Sequence, residues 1–454
     1  MDPERAETFL RTLAEARLRQ ALTGPALRPR DMTAGVDKAA DALTEVGAID
    51  ARLAQAVVAE FRQAFEARSS ASGSRHHVKP GPGVAGQMPL ALFHDFQGRP
   101  SPAGSGEGMT AEESPIRVTP VGRAIPFSDD ERDGMYLTAL VVTPDSSSVM
   151  AGTWTRDPVG GVRDHLLIHG LTATDDQGAA CHLAFNGGGS LQLAGGPYEL
   201  HPTPPQGIQW LDVSGGDGQR AIRINLAVPP AFAQVRTEAD PARPAGLLLH
   251  RVANRLLAYW EPDRRIVDSQ VVGLGDTVAA LEAARALPAG SPMPGQLAAL
   301  CEQLGVTGHG IVAAPQSDLP QTWSSLLAHH LGGNPGSGSG ARAASAAFAA
   351  ALPELDGVHY AVAGLHTGYD QTWLHAFAYR QDPHRDPLPA PSSWWLKDTA
   401  GQWHVAVVSA WNQGYLQMRV VPAIDPVTTA LELVIEGRTG RVRAELPVTW
   451  WSPS

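Results

Sequence analysis

The side chains best suited to chemistry are histidines, and they gather late in the chain. His359, His366, His375, His384 and His404 all follow residue 354. Three imidazoles on adjacent strands would suit zinc or copper. Earlier, His165 and His169 stand four apart and share one face of a strand, but they lack a third donor. His76-His77 and His329-His330 are neighbouring pairs whose rings point apart, which reads as solvation. The acidic run Ser128 to Gly134 resembles a calcium loop, yet its twelfth position is Leu140 where a glutamate is required. "GPGVAG" (81–86) formally fits a dinucleotide fingerprint, but prolines flank its first glycine and no strand precedes it. The chain has no G-x-S-x-G elbow, P-loop or H-E-x-x-H. Asp175-Asp176 and Asp398 read as turn residues. No motif asks for a cofactor.

Aromatic and apolar residues offer binding surfaces instead. Trp394, Trp395, Trp403, Trp411, Trp450 and Trp451 lie in the last part of the chain. On a strand, the neighbours Trp394-Trp395 and Trp450-Trp451 must place one ring on each face. Trp394 and Trp411 are therefore candidate partner-binding or sugar-stacking residues. A second candidate is the apolar island "QMPLALFHDF" (87–96), with Leu90, Leu92, Phe93 and Phe96, inside a Ser/Gly/Pro-rich stretch.

The elements that must position these residues occur twice. "LTALVVTPDSSSVMAGTWTRDP" (137–158) answers "VAGLHTGYDQTWLHAFAYRQDP" (362–383), two alternating runs about a polar turn. Downstream, matching His182 to His404 sets Cys181, Leu183 and Phe185 on Trp403, Val405 and Val407 and keeps the alternation. Matching Gly178 to Gly401 exchanges the faces. The first match is preferred. The helical echoes keep the same order: Asp37–Ile49 with Asp276–Leu287, and Asp50–Phe61 with Pro294–Val306.

The spacing predicts a helical module over 1–68, a linker over 69–116 and a first β module over 117–230. A second helical module follows over 240–331, then a Gly/Ala-rich linker over 332–353 and a second β module over 354–454. Short strands with regular turns suggest an α+β chain with two Ig-like antiparallel β-sandwich modules, paired about a pseudo-twofold.

Composition narrows the function. Net charge is -11 with pI near 5.8, and lysine occurs only at Lys38, Lys79 and Lys397. No basic face for nucleic acid is expected. No apolar run reaches the roughly 18 residues of a membrane span. An acidic start and two cysteines assigned to different modules point to the cytoplasm.

The "GAID…LAQAVVAEF" helices, the "DDQG" turn, the "GIQWLDV" strand and the "TALELVIEGRTGRVRAELPV" ending resemble a group of proteins of high-G+C bacteria with duplicated helical and β-sandwich modules. That resemblance spans most of the chain and attaches no activity to any residue. The expectation is an interaction or scaffold protein with a protein partner and no cofactor, its oligomeric state open. The alternatives are a carbohydrate or small-ligand binder using the second-module aromatics, or a metal enzyme using the second-module histidines.

Overall fold

The structure is a computed structural model. It describes residues 2–23, 29–71, 115–126, 133–155, 171–185, 195–204, 208–214, 221–226, 235–238, 244–260, 271–312, 318–332, 344–368, 371–380, 392–412 and 414–452. The chain divides into two compact units. One joins Met1–Pro102 to Arg243–Trp323; the other joins Ala103–Ala242 to Ser324–Ser454. Both helical stretches thus share one unit, and both β stretches share the other.

In the helical unit, α1 is Pro3–Thr23, α2 Pro29–Glu45, α3 Ala51–Ala71, α4 Pro244–Tyr259, α5 Leu274–Ala283 and α6 Met293–Gln303. Prolines open three of them and Pro294 stands second in α6, where the missing N–H has no helical acceptor to lose. Leu10, Ala14 and Leu18 on α1 and Val36, Ala40 and Leu43 on α2 form buried stripes at helical spacing.

The two triplets end their second helices alike. Gly47 and Arg285 both end their helices in the left-handed region, at φ 70° and 52°. The next residue in each closes the same bond, from Ala48 N–H to Leu43 C=O and from Ala286 N–H to Leu281 C=O. This register differs by one residue from the Asp37–Asp276 match. It sets Gly35 on Gly273, and these two equivalent glycines meet: a Cβ on Gly273 would stand 2.8 Å from Gly35 Cα. Ion pairs Arg17–Asp276 and Arg251–Glu45 tie α1 to α5 and α4 to α2. Arginine at the left-handed position is strained where glycine is not. Arg285→Gly is therefore expected to gain about 1 kcal/mol, less the flexibility glycine adds to the unfolded chain. Urea denaturation checks it; an unchanged or lower midpoint contradicts it.

The β unit holds nineteen described strands. The first copy has β1 Arg117–Pro126, β2 Asp133–Val142, β3 Ser147–Thr155, β4 Thr172–Asp175, β5 Ala180–Phe185, β6 Gly195–His201, β7 Trp210–Ser214 and β8 Ala221–Asn225. After β9 Val235–Glu238, the second has β10 Ala344–Ala347, β11 Ala350–Ala351, β12 His359–Gly368, β13 Gln371–Tyr379, β14 Ser393–Asp398, β15 Trp403–Asn412, β16 Tyr415–Val421, β17 Ala430–Glu436, β18 Arg441–Pro447 and β19 Thr449–Trp451. A further helix, α7 (Gln321–Leu331), begins where the chain passes into this unit.

The strand orders are the same. The first sheet runs β1-β2-β3-β6-β5-β4-β7-β8. The second runs β10-β12-β13-β16-β15-β14-β17-β18, with β19 and β9 added at its two edges and β11 paired to β12. Both copies bulge at matching residues, Thr138 in β2 and Ala363 in β12. The α+β class and two antiparallel β modules stand as expected. In place of an Ig-like pair of separate sheets, each copy hydrogen-bonds as one continuous sheet coiled about its own core. Period-two alternation is common to both architectures and does not separate them.

The turns also correct the register of the second hairpin. Asp175 accepts hydrogen bonds from the N–H groups of Gln177 and Ala179, with Gly178 at positive φ. Asp398 accepts from the N–H of Gln402, with Gly401 at positive φ. Gly178 thus answers Gly401, and Cys181, not His182, answers His404. Alternation misleads here because His404, Val405, Ala406 and Val407 are all buried, so β15 has no solvent face to mark its phase.

The two coils touch through equivalent strands. β2 lies on β12, and β1 meets β12 as β10 meets β2. Val118, Ala139, Val141 and Met150 close this seam against Ala361, Ala363, Phe377 and Tyr415.

Candidate functional site: a buried histidine seam

The seam is alike in backbone and unlike in side chains. Where the first copy has Val141, Met150 and Gly152, the second has His366, His375 and Phe377. Gly152 pairs with Gly195 in β6; Phe377 pairs with Tyr415 in β16. The second copy supplies rings and the first supplies room.

His366 Nδ1 and Ser345 Oγ share a hydrogen bond of 2.7 Å, and His375 Nδ1 and the Tyr415 hydroxyl share one of 2.6 Å. The two imidazoles meet edge to face, centroids 4.7 Å apart, and His375 lies nearly parallel to Tyr415. Both Nε2 atoms are buried without a hydrogen-bond partner among the described residues. Burial lowers the His366 pKa to about 4. It also holds His375 well below the ordinary value, and neighbouring His366 adds to that effect. Burial pushes the Tyr415 hydroxyl up. All three are neutral at physiological pH.

Ser345 with His366 has the spacing of a nucleophile and its base. It lacks the rest of such a device. Ser345 is buried, and His366 Nε2 faces no orienting carboxylate among the described residues. All four residues belong to the second copy, and the cluster meets the first where the His366 ring lies against Gly152.

The other expected residues are placed as follows. His359 is buried near Glu354, 3.6 Å away. His404 lies at the β14–β15 turn, away from the seam. No group of three or more His, Cys, Asp or Glu side chains stands in metal-binding geometry among the described residues. His165, His169, His384 and the island residues Leu90, Leu92, Phe93 and Phe96 lie outside the described residues.

The tryptophan pairs do split across the sheet. Trp394 enters the second core at 2% exposure, edge to face with Tyr360. Trp395 turns to the other face and meets Trp403. Trp450 packs on the core and donates to Thr428 C=O, while Trp451 stacks on Tyr136 of the first copy at 4.9 Å. Trp394 is thus a core residue and no partner-binding surface. Trp411 is half-buried against the same core. The strand face each ring occupies, not its chemistry, decides this.

Sequence reasoning passed over Ser345, Tyr415 and Gly152. The signal was available: positions where one copy gains bulk must be met by positions where the other loses it.

No protein-family model matches the chain, and no curated protein matches it. Among solved structures, one described as the crystal structure of the conserved domain protein from Bacillus anthracis aligns over 74% of this chain and 92% of that one, at 8% identity and a TM-score of 0.15. That likeness is too slight to carry an argument.

Proposed function

We propose that the chain is a non-enzymatic interaction protein, a scaffold built on two fused β modules and working in the cytoplasm. One observation carries this reading: the cluster with the most chemical potential, His366, His375, Tyr415 and Ser345, is buried at the seam and hydrogen-bonded within its own module. Two further facts support it. Both cysteines are free and buried, as a reducing compartment allows. No described helix is long and apolar enough to cross a membrane.

The apolar island at 87–96 remains the candidate contact for a protein partner. Affinity capture with the full chain, beside a chain lacking 69–116, tests this. A protein that is retained by the full chain, lost with the deletion, and rebinds when purified supports the scaffold reading and the island together. Retention by both moves the contact onto the folded units. Failure to recover any protein that rebinds overturns the reading.

A further inference from the structure

The buried histidines of the second copy differ in what stands beside them. His359 Nε2 lies 3.6 Å from Glu354, and His404 Nε2 lies 3.5 Å from Asp398. Burial lowers the pKa of both rings; Glu354 then raises that of His359, and the Pro422 carbonyl and Asp398 raise that of His404. At the seam nothing works in that direction. Burial is the sole cause of the lowering at His366, and at His375 burial comes first and the neighbouring His366 adds to it. A proton taken up at 359 or 404 gains an ion pair. A proton taken up at the seam gains none, and a buried charge without a partner is costly.

The unanswered pair sits where the two copies face each other in matched rows. In the second copy Trp451, Ser345 and His366 stand side by side on β19, β10 and β12. In the first, Tyr136 and Gly152 stand side by side on β2 and β3. Row lies on row: Trp451 stacks on Tyr136, and the His366 ring lies against Gly152. Among the described residues, the titratable and charged groups around the pair are the Tyr415 hydroxyl from β16, the Tyr136 hydroxyl from β2 and, acting on Tyr136 from β1, Arg123. Burial pushes both hydroxyls up, so they stay neutral, and Arg123 has the same sign as an imidazolium. None of these groups neutralises a protonated ring.

Each module also has a core apart from the seam. Leu137, Val149, Leu183 and Leu200 belong to the first core, and Leu365, Leu374, Leu396 and Leu433 to the second; neither cluster contains a histidine. The seam is a third, smaller cluster. β9, which follows the first copy in the chain, is paired to β18 of the second, so modules that separate stay tied.

We propose that acid parts the two β modules at the histidine seam while each module keeps its fold. Protonation favours the parted state because the imidazoles reach water there, so that state gains population as pH falls below the ordinary histidine range. Parting is a local opening; it bares Val118, Val141 and Met150 on one side and Phe377 and Tyr415 on the other. It does not depend on the interaction reading.

The test uses the full chain grown with 5-fluorotryptophan and followed by fluorine NMR from neutral pH to about pH 4. The Trp451 line, assigned with Trp451→Phe, reports the seam. The Trp394 line, assigned with Trp394→Phe, reports the second core, and far-UV circular dichroism reports both sheets. The expected result is that the Trp451 line moves to the position of a free ring while the Trp394 line and the dichroism hold. In the variant His366→Val with His375→Met the Trp451 line should hold as well. Movement of both lines together overturns the proposal. So does a Trp451 line that stays in place down to about pH 4, or one that moves equally in the double variant. If that variant fails to fold, the two lines of the wild type still decide between parting and unfolding.

Discussion

Acidifying the protein from neutral pH to about pH 4 is expected to remove about 3 kcal/mol of stability at the seam between the two coiled sheets. The cause is His366, whose pKa falls from an ordinary 6.5 to about 4 in the folded protein. Between those values the unfolded chain takes up a proton that the folded chain refuses. The unfolded state binds more protons there, so stability rises with pH across that window. The contribution is whole above 6.5 and lost as pH falls toward about 4. The shift corresponds to about 3 kcal/mol, and solvent screening does not reduce it because the ring is fully buried. His375 acts in the same direction, but its contact with His366 opposes a second charge, so the two effects do not add. The comparison variant is His366→Val with His375→Met, the pair the first copy carries. It leaves Ser345 and Tyr415 without their partners and should lose about 1–2 kcal/mol at neutral pH. The readout is the slope of urea stability against pH, which should be shallower in the variant. Parallel slopes would refute the assignment to these rings.

The hairpins β2–β3 and β12–β13 were legible because the two stretches align without a gap and their alternation is strong. The structure places the bulges Thr138 and Ala363 on aligned residues. The β4–β5 match failed by one residue because β15 is buried on both faces, and alternation has meaning only where one face is wet. The helices were legible from their apolar stripes. Their register was not, because Arg285 does the work of Gly47 without looking like a helix terminator. Nor could local pattern show that the helical stretches share one unit, since that rests on long-range contacts such as Gly35 with Gly273. The site was half visible. Val141, Met150 and Gly152 against His366, His375 and Phe377 could be read from the aligned copies. That the rings of one copy face the gap in the other required knowing that equivalent strands pack together.

That complementarity makes Gly152 the most sensitive small residue of the seam. Its φ is ordinary for a strand, so space alone decides what can stand there. A Cβ would lie 2.1 Å from His366 Cε1 and 2.3 Å from Nδ1. Both atoms belong to one rigid ring, anchored by Ser345 on one side and by His375 on the other. Neither can yield without breaking a hydrogen bond or a ring contact. Gly152→Ala is therefore expected to cost about 3 kcal/mol, the upper end for overpacking, measured by urea denaturation. Gly246→Ala, where an added Cβ meets nothing within 4 Å, should be near neutral. The decisive comparison is the double variant. Removing the ring with His366→Val should let the alanine fit, so the pair should cost at least about 1 kcal/mol less than the sum of the single changes. Strict additivity would mean that the glycine is needed for some other reason. Coupling would mean that the copies have diverged as a matched pair, a ring kept in one only because the other holds nothing there. A seam with His366-type rings on both sides would have no such gap to receive them.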